Sequence, residues 1–388
     1  MFKIIRTEEE FNAIKADWDR FTDNNSDSNV FLFHDWIASW IKYFLKGKKG
    51  RQLFVIAEYD DNEGTIKSIA PFYIDVFFLV FKCLRFLSDD YSDYLGIAAD
   101  NTGAIFNMLD EINSYLNVKR GEYKEIKEIN KKEENGFRAD MIYLKQVSEE
   151  QSGKILKYEK DKLHLTRKSG GDCYYALLPH TVEKYLEGFN SKQRYNILKR
   201  VKTAEKKGVQ YISISIKNGD GNNIDYYLEE FFKLHQKRWN KKGKRGVFHN
   251  NKISAFFKSL FTALYNNGIL NLSFLKYNDR LIAASACFDI KDKRQVYLPG
   301  FDPEYSFLQP GIVLTYYNIR EAISLNCKEF DFLKGSEDYK RRFLAVKRAN
   351  YKIYIYKTKI IYPIFKLNLF LKNEFFPKIK NIFICKYE

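Results

Sequence analysis

The chain has 388 residues, of which 45% are apolar; this is the composition of a globular protein with two or three domains, not of a disordered chain. The formal net charge of +16 attracts anions such as CoA phosphates, an acidic carrier protein, nucleotide sugars, tRNA or an anionic membrane, unless it reflects only a solvated lysine surface. The five cysteines and five histidines do not have metal-ligand spacing, so no metal site is expected.

The first 150 residues have the pattern of one α/β unit. No apolar signal core follows Met1, which predicts a cytoplasmic protein. Thr7 and Glu10 predict a capping box at the start of the first helix, and Trp36 and Trp40 share a helix face that predicts core packing. The predicted strands are 2–6, 52–59, 65–73, 82–87 and 137–144, and the predicted helices are 7–22, 34–45 and 102–117.

Residues 151–178 are predicted to be a linker because they are polar and contain Ser-Gly and Gly-Gly pairs. A second α/β unit is expected over 179–357. Its predicted helices are 180–207, 225–241, 252–267, 311–325 and 336–346, and its predicted strands are 209–216, 270–277, 280–290, 294–299, 328–333 and 350–357. Residues 358–388 form a basic aromatic tail, which either docks on the core or makes an amphipathic helix with peripheral membrane contact.

The predicted helix 180–207 is strongly basic. Its cationic side chains at helical spacing are Lys192, Arg194, Lys199, Arg200 and Lys202. Two interpretations stay open for them: a phosphate-binding face, where a tRNA would lie, or a solvated helix surface.

The most informative stretches are 297–303, 309–314 and 331–340, which read as strand, helix start, strand and helix start. A strand that leads into a helix N-terminus presents free backbone N–H groups and the positive end of the helix dipole. Ligands of such sheets lie at strand ends beside these helices. This arrangement predicts a site for an anion such as a pyrophosphate.

In order and identity these stretches resemble the second half of the CelD/BcsL family of GNAT-type acyltransferases. The resemblance covers roughly residues 10–357. The residues that carry it are Trp18, Trp36, Trp40, 70–72, 92–94, Leu234, His235, Arg238, Trp239, Gly246, Phe248, 282–284, 300–305, Pro310, Gly311, 331–335, Tyr339 and Lys340. It implies an α/β (α+β) chain of two GNAT-like lobes, as in FemAB proteins, each a mixed, mostly antiparallel sheet flanked by helices.

The resemblance also implies a donor site in the C-terminal lobe. Backbone N–H groups near Leu298 and Gly300 are expected to polarise a thioester carbonyl where strands 294–299 and 328–333 part. Gln309 and Gly311 are expected to contact the donor at the helix start, and Lys340 to contact its phosphates.

Three residues are candidates for proton transfer: Tyr339 as the acid, Asp331 as a base that points into the cleft, and His235 as an alternative base. Arg238 and Asp302 are candidate acceptor-binding residues, although Asp302 in Gly-Phe-Asp-Pro is also a typical turn former.

One departure concerns the donor. The Arg/Gln-x-x-Gly-x-Gly/Ala loop of typical GNAT enzymes is absent, and residues 306–311 stand in its place. Acetyl-CoA or another acyl-CoA is the expected co-substrate, and a carrier protein or aminoacyl-tRNA is an alternative donor. The expected activity is direct acyl transfer to an amine or hydroxyl of a sugar, nucleotide-sugar or cell-envelope precursor. The alternatives are a tRNA-dependent FemAB-like transferase and a non-catalytic module that binds anions or RNA.

Overall fold

A computed structural model describes residues 1–25, 29–48, 50–117, 138–158, 163–219 and 223–375. The chain divides into two compact units: unit 1 is Met1–Gly170 with Asn350–Glu388, and unit 2 is Gly171–Ala349. The predicted strand 350–357 and the described part of the tail, residues 358–375, therefore lie in unit 1, and not at the end of the second unit.

The strands in chain order are β1 (Phe2–Ile5), β2 (Arg51–Tyr59), β3 (Ile66–Phe77), β4 (Phe81–Phe86), β5 (Ala98–Ala99), β6 (Met141–Ser148), β7 (His164–Leu177), β8 (Gln210–Ile214), β9 (Leu270–Tyr277), β10 (Arg280–Ile290), β11 (Lys293–Phe301), β12 (Glu329–Lys334) and β13 (Val346–Tyr356). The helices are α1 (Glu8–Ala13), α2 (Lys15–Asn24), α3 (His34–Trp40), α4 (Thr102–Asn117), α5 (Glu149–Leu156), α6 (Val182–Glu187), α7 (Ser191–Lys206), α8 (Ile224–Lys241), α9 (Asn251–Asn266), α10 (Pro310–Ser324) and α11 (Ile361–Phe370).

The sheet of unit 1 has the order β1-β2-β3-β4-β6-β13. All its neighbouring strands are antiparallel except β4 and β6, which are parallel. The predicted capping box is confirmed at α1, where Thr7 Oγ1 accepts from Glu10 N at 3.1 Å and Glu10 Oε2 accepts from Thr7 N at 3.1 Å. Trp36 and Trp40 are buried in the core, as predicted.

The sheet of unit 2 repeats this arrangement with the order β8-β9-β10-β11-β12-β7. Its neighbours are antiparallel except β11 and β12, which are parallel. Each unit is thus a mixed, mostly antiparallel sheet flanked by helices, which confirms the predicted fold class.

Four predicted elements differ from the structure. The helix 7–22 is divided at Ile14 into α1 and α2. The linker 151–178 contains α5 and β7 instead, because polar residues in this stretch face water from regular secondary structure. The helix 336–346 is reduced to a 3₁₀ turn at Lys340–Phe343. The helix 180–207 is divided into α6 and α7, because Asn190 starts a new helix with a capping box in which its Oδ1 accepts from Gln193 N at 2.8 Å.

The beginning of the tail packs on unit 1. Ile361 and Phe365 of α11 are buried in a cluster with Phe77 and Tyr143. The docking prediction is confirmed for α11, and residues 376–388 of the tail lie outside the described residues.

Candidate functional site

Unit 2 contains a cavity of about 290 Å³ at the point where its parallel strands part. It is lined from α8, β10, β11, β12, α10 and the loops beside them. The lining residues are Arg238, Ser285, Val296, Pro299, Gly300, Phe301, Ser306, Gln309, Pro310, Gly311, Ile312, Leu314, Thr315, Asn318, Phe330, Phe332 and Tyr339. This apolar space with a few polar groups has the character of a small-molecule site.

Strands β11 and β12 are paired only from Lys293/Glu329 to Gln295/Asp331. Beyond this point β11 carries a bulge, because Ala284 pairs with Gly300 and Ala286 with Tyr297. Leu298 within the bulge has a φ of 52°, and the parting predicted from the sequence is confirmed. Leu298 does not line the cavity itself, but its backbone turns the strand so that the residues after it do.

Gly300 is needed where α8 crosses β11. A Cβ at this position would overlap the backbone of His235. Only glycine lets the helix approach this closely, and the approach sets one wall of the cavity.

The N-terminus of α10 forms another wall. Gln309 precedes the helix in the left-handed region with a φ of 55°, and its carbonyl accepts from Ile312 N at 3.0 Å. Gly311 lines the cavity, and a Cβ there would meet no atom within 4 Å. Two of the predicted donor contacts therefore lie at a helix start that faces the cavity.

Tyr339 and Arg238 also line the cavity. The Tyr339 ring packs edge-on against Phe332 with centroids 6.2 Å apart. Burial, and secondly the carboxylate of Glu337, raise the pKa of Tyr339 to about 12, so the phenol is protonated at neutral pH. Arg238 Nη1 donates to Pro299 O at 2.8 Å, which fixes the guanidinium at the bulge.

Asp331 does not line the cavity. Its neighbours Phe330 and Phe332 do, and alternation along β12 places Asp331 on the opposite face of the sheet. There its Oδ1 accepts from Leu333 N at 2.7 Å, and its Oδ2 lies 3.5 Å from Arg348 Nη1. The predicted orientation into the cleft is wrong because the cavity takes the apolar face of the strand.

His235 is buried and is also absent from the cavity wall. Trp239 Nε1 donates to its Nε2 at 2.9 Å, which occupies the basic nitrogen. Burial, reinforced by the charge of Arg238, lowers the pKa of His235 to about 4. These contacts make a neutral packed histidine and do not favour the predicted base.

Lys340 and Asp302 stabilise the backbone instead of facing the cavity. Lys340 is 2% exposed, and its Nζ donates to the carbonyls of Leu333, Lys334 and Gly335, each at 3.1 Å. The phosphate contact predicted for Lys340 is wrong, because its donors hold the loop after β12. Asp302 Oδ1 accepts from Glu304 N at 3.2 Å, which confirms the turn-forming interpretation.

Ser285 and Asn318 were missed by the sequence analysis. Both are 1% exposed at the cavity wall, where Asn318 Nδ2 donates to Ser285 Oγ at 2.8 Å. Tyr211 Oη donates to Asn318 Oδ1 at 3.0 Å, which extends the network into the core. The signal available in the sequence was an asparagine among the apolar positions of a helix.

The basic residues of α7 lie apart from the cavity lining, with the side chains of Lys192, Lys199 and Lys202 exposed.

Within the described ranges, no cluster of three or more metal-ligating side chains occurs. Across those same ranges, no helix has the length and apolar character needed to cross a membrane.

Comparison with known proteins gives the site a context. Residues 191–341 match the model of the acetyltransferase (GNAT) domain. No curated protein matches the sequence significantly.

Among solved structures, FemX aligns with a TM-score of 0.62 at 13% identity, over 94% of this chain and 99% of that one. The C-terminal domain of a putative lysylphosphatidylglycerol synthetase from Agrobacterium fabrum aligns with a TM-score of 0.52 at 8% identity, over 94% and 97%. L-PGS from Bacillus licheniformis gives 0.52 at 9%, over 92% and 94%. Residues 191–341 are thus similar to the acetyltransferase (GNAT) domain, and the chain has a FemX-like fold.

Proposed function

We propose that the protein transfers an acyl group, in the first instance acetyl, from acyl-CoA to an amine or hydroxyl of a sugar, nucleotide-sugar or cell-envelope precursor. The main support is that three features line the same cavity: the parted strands β11 and β12, the start of α10 and the side chain of Tyr339. Each feature serves a different requirement of direct acyl transfer.

The donor is proposed to enter with its thioester between the parted strands. The apolar walls suit the uncharged arm that carries the thioester, and the start of α10 at Gln309 and Gly311 suits a pyrophosphate. Pro310 at the first helical position has no N–H to offer, and Ile312 N and Val313 N already donate to Gln309 O at 3.0 and 3.2 Å. The N–H group proposed to contact the phosphates is therefore that of Gly311.

The proposed chemistry uses the bulge and Tyr339. The backbone N–H of Gly300, at the end of the bulge, polarises the thioester carbonyl, and the acceptor attacks its carbon. When the carbon–sulfur bond breaks, the Tyr339 phenol gives its proton to the thiolate, and the resulting phenolate takes a proton from the acceptor. One acyl–sulfur bond is thereby exchanged for one acyl–nitrogen or acyl–oxygen bond, and one proton passes to sulfur.

Asp331 and His235 have no role in this scheme because neither reaches the cavity. Within the described part of the chain, the lining residues include no carboxylate or imidazole. Arg238 is proposed to bind an anionic group of the acceptor, since its Nε is buried without a hydrogen-bond partner among the described residues. Asp302 is proposed only as a support, because its Oδ2 already lies 2.5 Å from Lys237 Nζ.

A second candidate is aminoacyl transfer from an aminoacyl-tRNA. Two observations favour it: the fold aligns with FemX and with two proteins named for lysylphosphatidylglycerol synthesis, and α7 presents exposed lysines. The same tyrosine would then protonate the ribose oxygen instead of a thiolate.

The test is ligand-induced stabilisation followed by turnover. A donor that binds only the folded protein raises the melting temperature by mass action, so acetyl-CoA, a longer acyl-CoA, free CoA and aminoacyl-tRNA are compared. Tyr339→Phe is expected to keep the shift but to lose about 100-fold in transfer rate. The matched control is Tyr185→Phe, which removes a buried hydroxyl that donates to Phe343 O at 2.7 Å away from the cavity lining.

A shift with an acyl-CoA supports the first candidate, and a shift with aminoacyl-tRNA alone supports the second. Full turnover by Tyr339→Phe would exclude the proposed acid. No shift with any donor would argue against both candidates.

A further inference from the structure

The hairpin between β3 and β4 in unit 1 ends in three exposed apolar residues. Phe78 is 42%, Leu79 95% and Val80 68% exposed. Phe78 and Leu79 also have φ values of 47° and 65°, a backbone region that glycine and asparagine adopt far more readily than bulky residues. The Phe78 ring packs edge-on against Phe77 with centroids 6.2 Å apart, but Leu79 and Val80 remain largely exposed. Exposure to solvent and, at Phe78 and Leu79, the backbone conformation both disfavour apolar residues at this tip.

Helix α11 lies beside this tip, because Phe77 contacts Phe365 with ring centroids 5.1 Å apart. The inner face of α11 is buried through Ile361 and Phe365. Its outer face is also apolar, with Leu367 52% and Phe370 48% exposed. Apart from Lys366 the exposed side chains of this outer face are apolar, and an exposed apolar patch of this kind marks an interaction surface.

Cationic side chains border this apolar surface. Lys82 follows the tip on β4, and Lys366 and Lys372 belong to α11 and the turn after it; all three are exposed. Lys82 also lines a cavity of about 830 Å³ whose charged lining residues are Arg6, Glu8, Lys46, Lys48, Arg51 and Lys82. Two carboxylates lie near these lysines. Asp75 is buried, and its Oδ2 lies 2.9 Å from Arg85 Nη1 and 3.9 Å from Lys372 Nζ, while Asp140 Oδ2 accepts from Lys82 N at 2.8 Å.

We propose that unit 1 docks on an anionic lipid surface through the hairpin tip and the outer face of α11. The apolar side chains of Phe78, Leu79, Leu367 and Phe370 enter the interfacial region, and the lysines beside them contact the lipid phosphates. This combination of an apolar insertion and a basic rim is the arrangement that holds peripheral proteins at membranes. It would place acyl transfer at a membrane surface, but it does not depend on the proposed reaction.

The experiment is flotation of the full chain with vesicles of phosphatidylcholine alone or with about one third phosphatidylglycerol. We expect binding to the anionic vesicles only, and a loss of binding as salt rises from about 0.1 M to about 1 M. Leu79→Asp is expected to weaken binding about tenfold or more, since it replaces the leucine proposed to enter the membrane with a charged residue. Aspartate accepts a positive φ more readily than leucine, so this variant should fold, and its melting temperature checks this.

Leu367→Asp tests the helix independently, and Leu177→Asp is the matched control because Leu177 is a leucine of unit 2 that is 71% exposed. The proposal is overturned by equal flotation of wild type and Leu79→Asp, or by no flotation at all. It is also overturned if the wild type is a dimer that Leu79→Asp dissociates while neither binds vesicles, because a second copy would then cover the surface.

Discussion

The two units use the same backbone arrangement where their parallel strands part, but they fill it differently. In unit 2 the last aligned pair is Gln295/Asp331, and in unit 1 it is Arg85/Tyr143. Three residues further along the first strand, Leu298 has a φ of 52° and Ser88 a φ of 62°. The sheet thus opens at the same place in each unit.

In unit 1 the opening is closed by charge. Lys145 Nζ on β6 lies 2.7 Å from Asp90 Oδ1 and 3.6 Å from Asp89 Oδ2, so ion pairs connect β6 with the segment that follows β4. Arg85 Nη2 in turn lies 2.7 Å from Asp89 Oδ2 and holds that carboxylate in place. In unit 2 the corresponding space is a cavity with apolar walls. The backbone therefore creates the opening in both units, and the side chains decide whether it is structural or able to accept a ligand.

The largest expected effect comes from removing the charge that closes unit 1. Arg85→Met leaves Asp75 and Asp89 buried without their main partner, and we expect a loss of about 3–5 kcal/mol in the free energy of unfolding. Denaturant unfolding measures this. A loss below about 1 kcal/mol would show that the ion pairs do not hold the parted strands together.

The buried histidine of unit 2 should make stability depend on pH. Because folding lowers the pKa of His235 from 6.5 to about 4, the unfolded chain binds more protons between these values, and the free energy of unfolding falls as the pH falls. The expected contribution is up to about 3 kcal/mol, seen as the difference between wild type and His235→Gln. His34→Gln is the matching variant in unit 1. Because burial also lowers the pKa of His34, its free energy of unfolding should differ from wild type in the same direction as the pH falls. Parallel pH profiles for wild type and His235→Gln would contradict the expectation.

Two glycine variants test whether the close approach of α8 to β11 at Gly300 positions the cavity wall. Gly300→Ala should cost about 1–3 kcal/mol and abolish donor-induced stabilisation, because its Cβ overlaps the backbone of His235. Gly311→Ala should instead leave stability unchanged or raise it by about 0.5 kcal/mol, since the new Cβ meets no atom. Thermal unfolding with and without acyl-CoA separates the two, and equal stability of the variants would refute the close-approach argument.

The last prediction is that the transfer rate does not change with pH in the alkaline range. With the pKa of Tyr339 raised to about 12, the phenol stays protonated over the working range, and transfer should not decline between about pH 7 and pH 10. A pH–rate profile measures this. An alkaline decline near about pH 9 that disappears in Tyr339→Phe would show that the tyrosine titrates lower than its surroundings suggest.

The sequence predicted the fold class and the start of α10, because apolar periodicity and the Pro-Gly pair are local signals. It also predicted correctly that Asp331 alternates with Phe330 and Phe332. It could not predict which face of β12 the cavity uses, since this depends on strands distant in sequence. The neutral state of His235 likewise comes from burial by long-range packing, and the role of Lys340 from a loop whose carbonyls turn towards it.

The path of the chain has a consequence for biosynthesis. The strand beside β6 in unit 1 is β13, and the helix that covers Phe77 and Tyr143 is α11, and both follow unit 2 in the sequence. During synthesis from the N-terminus, unit 1 must therefore wait as an unfinished sheet with an open edge until unit 2 has been translated. Chaperones that act on nascent chains are therefore expected to contact unit 1 for most of translation. In a chain whose synthesis stops after residue 349, unit 2 should be protected from proteolysis and unit 1 should not.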